Sequence, residues 1–178
     1  MIRLIGLFII TFTFNSAAQD VVKPRPSPLA MISTRYKDTY LKIIYSQPHK
    51  RGRQIFGKVV PYGEIWRTGA NEATEITFTK DIIIGATLMK AGTYSIFTIP
   101  EKENWTIIFN SELGLWGSYN YNVKLDTLRL QIPVQLMNDV VYEAFTMSID
   151  QKSSQADINL FWDNVKISIP IQFIEIKL

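Results

Sequence analysis

Between residues 52 and 74 the chain reads GRQIFGKVVPYGEIWRTGANEAT. Side chains suited to recognition crowd this stretch: Arg53, Tyr62, Trp66, Arg67, Asn71 and Glu72. Each guanidinium can grip a carboxylate or phosphate with two parallel hydrogen bonds. Trp and Tyr offer flat apolar faces, and Asn and Glu can fix the orientation of a polar molecule stacked on them. A second glycine-flanked run, GLWGSYNY at residues 114–121, adds Trp116. The candidate ligand-binding set is therefore Arg53, Tyr62, Trp66, Arg67, Asn71, Glu72 and Trp116. It suits a glycan or another small polar ligand.

The same residues support two rival readings. In one, the domain is structural or mediates interactions, and the 52–74 loop is a packed plug. Trp66 and Trp116 then close the end of the fold, and the arginines bond backbone carbonyls. Burial and mutual hydrogen bonding of Trp66, Arg67, Asn71 and Glu72 would mark that case. In the other, the protein is a carboxylate-dependent hydrolase using Glu64 or Glu72, which needs two carboxyl groups about 5–10 Å apart in an open cleft.

Several chemistries are excluded by residue type. The chain has no cysteine and a single histidine, His49. Thiol nucleophiles, disulfides and the usual histidine or thiolate zinc sites are therefore ruled out. His49 precedes Lys50, Arg51 and Arg53, a positive field that opposes its protonation, and no carboxylate lies nearby in sequence to orient it. No phosphate-binding loop, dinucleotide fingerprint or acidic calcium array occurs. No catalytic residue, metal or cofactor is assigned.

The elements that must carry these loops are strands. Leu41, Ile43 and Tyr45 alternate with polar or exposed positions. Ile76 with Phe78 does the same, as do Trp105, Ile107 and Phe109, then Phe145, Met147 and Ile149, and finally Ile167, Ile169, Ile171 and Phe173. Period-two alternation of this kind marks half-buried strands. Further strands are expected at 82–84, 93–99, 128–134 and 158–162, giving about nine. No helical stripe of useful length occurs. The expected fold is all-β: a single antiparallel β-sandwich, jelly-roll-like, with the long Gly/Arg/Trp-containing loop at one end. Residues 85–92 read as a hairpin connection, and Asp163-Asn164 as a turn between the last two strands. Pro170 lies within the last strand and lacks an N–H, so that strand is expected at an edge or bulged.

The N-terminus reads as an export signal. Arg3 precedes an apolar run from Leu4 to Phe14, and Ser16-Ala17-Ala18 supplies small residues for cleavage. The run is too short to span about 30 Å of hydrocarbon, so no integral membrane segment is expected after cleavage. Residues 1–18 are assigned as signal peptide, 19–33 as an extended Pro-rich leader (Pro24, Pro26, Pro28), and 34–178 as the sandwich domain. The whole chain carries a formal +3. Loss of Arg3 leaves 18 basic against 16 acidic residues. That near-neutral balance, with one short basic cluster at residues 50–53, argues against a nucleic-acid partner. A periplasmic or secreted location follows from the signal.

The stretch Tyr45-Ser46-Gln47-Pro48, with Gly52-Arg53, Ile55-Phe56-Gly57 and the continuous run from Val60 to Thr74, resembles the domain of unknown function 2911 family. The likeness continues through Ala91-Gly92-Thr93-Tyr94-Ser95, Ile99-Pro100, Trp105, Phe109-Asn110, Trp116-Gly117 and Tyr121. It covers nearly all of the mature domain and implies an exported bacterial protein, with no activity attached. His49 stands where members carry a small or aliphatic residue, which argues further against histidine chemistry.

Overall fold

The computed structural model describes residues 23–175. The expected export signal at residues 1–18 and the first residues of the expected leader lie outside them. Twelve strands form two antiparallel sheets. The first sheet contains β1 (Leu29–Tyr36), β2 (Thr39–Ser46), β3 (Thr74–Phe78), β6 (Gly92–Ile99), β7 (Asn104–Asn110) and β8 (Asp126–Pro133), paired in that order. The second runs β10 (Tyr142–Lys152), β11 (Gln155–Asp163), β12 (Val165–Phe173), β4 (Ile82–Ile84), β5 (Thr87–Met89), with the short β9 (Gln135–Leu136) beside β12.

The alternation in the sequence maps directly onto this layering. In β2, Leu41, Ile43 and Tyr45 are buried, and in β12 Ile167, Ile169, Ile171 and Phe173 are. These faces meet between the sheets, joined by Trp105, Ile107 and Phe109 of β7 and by Phe145 and Met147 of β10. Tyr45 also ties one sheet to the other, its hydroxyl accepting from the Met147 N–H at 3.0 Å.

All nine expected strands are present, and three more join them. β1 begins at Leu29, inside the stretch assigned to the leader, and pairs with β2 along its whole length. Its outward positions include Leu29 and Met31, both 60% exposed, so it lacks the buried stripe that betrays a strand in sequence. β5 lies within the expected 85–92 connection. β4 and β5 form a tight hairpin in the second sheet, and the chain then changes sheets to enter β6. β9 is too short to leave a pattern.

The strand order also differs from the jelly-roll expectation. Sequence neighbours pair within a sheet as meanders, and the β4–β5 hairpin is the excursion to the opposite sheet. Short turns favour such local pairing. The Asp163-Asn164 turn lies where expected, joining β11 to β12 with Trp162 opposite Val165. Pro170, however, is in an interior strand. β12 pairs with β9 only at Val165–Lys166 and with β4 only from Ile171 onward. The Pro170 carbonyl accepts from the Gly85 N–H (2.9 Å) at the mouth of the β4–β5 turn, where no ladder bond needs its missing N–H.

Candidate functional site

Residues 47–73, between β2 and β3, close one end of the sandwich by crossing between the sheets. Leaving β2, the chain reaches the second sheet, where His49 bridges Ala144 and the Lys50 N–H donates to the Glu143 carbonyl. Lys50 also pairs with Asp163. A compact turn then tucks Ile55, Phe56 and Val60 into the core. The chain returns to the first sheet at Trp66, which bridges Thr98 of β6 with reciprocal backbone bonds of 2.8 and 2.9 Å.

Trp66 is 7% exposed. Its ring stacks on Trp162 with centroids 5.7 Å apart and meets Phe56, Trp105 and Phe145 edge-on. Its indole N–H donates to the Gly69 carbonyl at 3.0 Å. Both ring faces are covered by protein, so Trp66 leaves the expected ligand set and becomes the centre of the plug. The segment after it is tightly fitted. Thr68 is buried and adopts φ 55, a left-handed conformation that is uncommon for a β-branched residue and costs roughly 1–3 kcal/mol. Its hydroxyl and its carbonyl are both engaged, by Thr98 and Thr74. At Gly69 a Cβ would lie 3.0 Å from the Ser46 carbonyl oxygen, so only glycine fits that approach.

The other expected residues separate. Arg53 is exposed and bonds the carbonyls of Lys50 and His49 at 3.0 and 2.7 Å, which holds its own turn. Tyr62 lies over Gly57 and lines a different cleft, of about 370 Å³, with Glu101, Lys102 and Trp105. Neither reaches the remaining four.

Those four gather on the outer side of the first sheet. There Phe97, Ile108 and Ala73 form a small second core, covered by Ile65, Ile99, Leu115 and Tyr121. The connection between β7 and β8 supplies Leu115 and Tyr121 of this cover and is zipped to the 47–73 segment. The Ala73 N–H donates to the Leu115 carbonyl (2.8 Å), the Gly117 N–H to the Asn71 carbonyl (2.9 Å), and Glu72 and Trp116 face each other as a β-bridge. The base of the connection is fixed by a polar cluster. Buried Asn110 donates to Asp126 (2.8 Å), which also accepts from Tyr121 (2.6 Å) and Arg129 (2.7 Å). On this support Trp116 is 60% and Tyr119 87% exposed. Gly117 adopts φ +72 and has the Tyr119 ring against it, leaving no room for a Cβ.

Beside this aromatic pair lies a cleft of about 450 Å³, lined by Arg25, Leu29, Ile44, Glu72 and Glu75 among others. Arg25 was assigned to the leader. Its guanidinium instead bonds both Glu72 oxygens, at 2.8 and 3.0 Å. Glu72's own backbone N–H and then Arg25 hold its carboxyl below the usual glutamate range. Glu75 accepts from the Gly114 N–H at 2.8 Å. Asn71, at φ 58, donates to the Ser27 carbonyl at 3.3 Å. Thus Glu72 pairs with Arg25.

Arg67 is half-buried. Its Nε is buried without a hydrogen-bond partner, and among the described residues its guanidinium makes no hydrogen bond or ion pair. Burial lowers its pKa from the ordinary value, partly offset by the nearby Tyr119 phenol. An unsatisfied buried donor costs roughly 1–3 kcal/mol. The only other such side-chain atom, among the described residues, is Oε2 of Glu112. No ion pair joins Glu112 to Arg67. Sequence reasoning missed Arg25, Glu75 and Tyr119 as members of this surface. Tyr119 was legible as a loop aromatic, whereas Arg25 sits in an aperiodic stretch that offers no signal.

Among the described residues no cluster of histidine or acidic side chains could hold a metal ion, and no helix is long and apolar enough to cross a membrane. Comparison with family models matches residues 27–171 to the protein of unknown function family DUF2911. The chain belongs to this family. No curated protein matches it, and no solved structure does. The matched span begins at Ser27, two residues before β1, and ends in β12, so this family's domain includes both sheets and both connections that build the outer surface.

Proposed function

We propose that this DUF2911 chain is an exported β-sandwich binding domain whose ligand is a glycan or another polar component of the bacterial envelope. The ligand rests on Trp116 and Tyr119, with Arg67, Asn71, Glu72 and Arg25 around it. The observation that carries the reading is the exposure of two aromatic rings, Trp116 and Tyr119, on one connection that hydrogen bonds hold from below. Exposed aromatics on a fixed backbone give contact area at little entropic cost, and the polar groups beside them give orientation. The export part rests on the apolar N-terminal run and the small residues that follow it.

The experiment is a glycan and metabolite screen on the mature chain. Wild type binds a member of the screen, and Trp116→Ala abolishes that binding without lowering the melting temperature. Retention of full affinity in both Trp116→Ala and Tyr119→Ala removes the reading.

The plug reading keeps one specific support, the burial of Trp66, and applies to the inner half of the same segment. The hydrolase reading has none: Glu72 is engaged by Arg25, and Glu64 is exposed on the surface.

A further inference from the structure

We propose that the ligand of this surface carries an anionic oxygen pair, a carboxylate or a phosphate, and that Arg67 receives it. The inference rests on the binding reading above and names the chemistry of the group nearest Arg67.

Three observations lead to it. First, the other arginines of this region are already occupied. Arg25 is spent on Glu72, Arg53 on two backbone carbonyls, and Arg129 on Asp126 and Tyr121. Second, Arg67 alone of these has a buried Nε without a hydrogen-bond partner. Native proteins rarely leave a buried donor unpaired, and an orphan of this kind is expected where a ligand completes the bond. Third, among the described residues no carboxylate is paired with it. Glu72 is held by Arg25, Glu75 accepts from Gly114, and Glu112 makes no ion pair with Arg67. A guanidinium presents Nε–H and one Nη–H as a parallel fork that fits two oxygens of one anion. Partial burial raises the strength of such a pair, because the site is already partly desolvated.

The neighbouring rings define what else the ligand bears. Trp116 bridges Glu72 through its backbone, and the exposed Tyr119 follows it on the same connection. A molecule with a flat or weakly polar body and a terminal acid group fits this pairing. Uronic-acid sugars and sugar phosphates are the two ordinary sources.

The test reads arginine Nε–Hε resonances by proton–nitrogen NMR on the mature, nitrogen-labelled chain. Acetate and inorganic phosphate are titrated separately, with sodium chloride at matched ionic strength as control. Arg53 and Arg129 serve as internal references, since their Nε groups already bond Lys50 and Asp126. The expected result is a saturable shift of the Arg67 resonance with at least one of the two anions, while Arg53 and Arg129 follow only ionic strength. A larger response to acetate points to a carboxylate source, and a larger one to phosphate points to a phosphorylated source. Arg67→Lys, which keeps the charge and loses the fork, weakens anion binding about tenfold or more, read at the backbone amides of residues 67–72 because the variant has no guanidinium resonance there. An Arg67 resonance that tracks ionic strength like the other two overturns the inference. The Trp116 indole resonance is followed in the same samples with glucose, glucuronate and glucose 6-phosphate. Perturbation of Trp116 by glucose with no response at Arg67 defeats the anion inference and leaves the binding reading standing. Silence at both residues across all five probes counts against both.

Discussion

Trp66 and Trp116 are both tryptophans in glycine-rich connections, yet one is 7% and the other 60% exposed. The difference comes from what lies beneath each. Trp66 bridges β6 and points between the sheets, into a nest of four aromatic rings. Its replacement by alanine therefore leaves a cavity in the core. Trp66→Ala is expected to cost about 3–5 kcal/mol of unfolding free energy, measured by urea denaturation. Trp116→Ala buries and unburies little, so its effect on the same curve stays within about 0.5 kcal/mol. A residue-level pH effect follows from Glu72. Its carboxyl is depressed in the folded state, so its contribution is present above the ordinary glutamate value and is lost as pH falls through the folded one. The group is largely exposed, with 40% of its side chain accessible, so screening keeps the effect small. The expected readout is local: below the ordinary value of 4.5, the Arg25–Glu72 tether loosens and the Arg25 resonances sharpen, while Glu72→Gln shows the loosened state at neutral pH.

At the scale of elements, the connection between β7 and β8 depends on one carboxylate. Asp126 has a side chain only 9% exposed and accepts from Asn110, Tyr121 and Arg129 at once. Asp126→Ala would leave part-buried Tyr121 without its acceptor and buried Asn110 with the Asn122 carbonyl alone, at about 1–3 kcal/mol. Hydrogen exchange is the sensitive check. The Ala73 and Gly117 amides, which zip the connection to residues 71–73, are expected to exchange faster in the variant, while those of β11 keep wild-type protection. Nothing in the sequence announced this clamp, because its members lie on strands and turns that become neighbours only through the β7–β8 pairing. The strands themselves were legible wherever one face is buried, as in β2, β3, β7, β10 and β12. β1 was not, since Leu29 and Met31 occupy its exposed face and blur the alternation. Pro170 misled for a related reason: sequence reports its missing donor but not the gap between β9 and β4 that makes the donor unnecessary.

Across the whole molecule, one long connection does two jobs. Its inner half seals the end of the sandwich with Ile55, Phe56, Val60 and Trp66, and its outer half holds the part-buried Arg67, Asn71 and Glu72 around the buried Thr68, Gly69 and Ala70, on the side bridged to Trp116. The density of polar and aromatic residues in sequence pointed to the right connection but could not divide it, because the division depends on which sheet each residue meets. Residues 25–28 are part of the same assembly, bonded to residues 47, 51, 71 and 72, so the folded sandwich includes residues before 34. Deletion up to residue 28 is expected to lower the melting temperature and weaken binding together, whereas removing only 19–23 leaves both unchanged. The central claim, that this outer surface is where the protein meets its ligand, is tested most directly by chemical-shift mapping with the first glycan or metabolite that binds. The account predicts that perturbed amides cluster at residues 71–75 and 114–121, with the Trp116 indole among the largest changes. Clustering instead at the Tyr62 cleft, or at the cleft of about 410 Å³ around Tyr36, Asp81 and Leu88 at the far end of the sandwich, would contradict it.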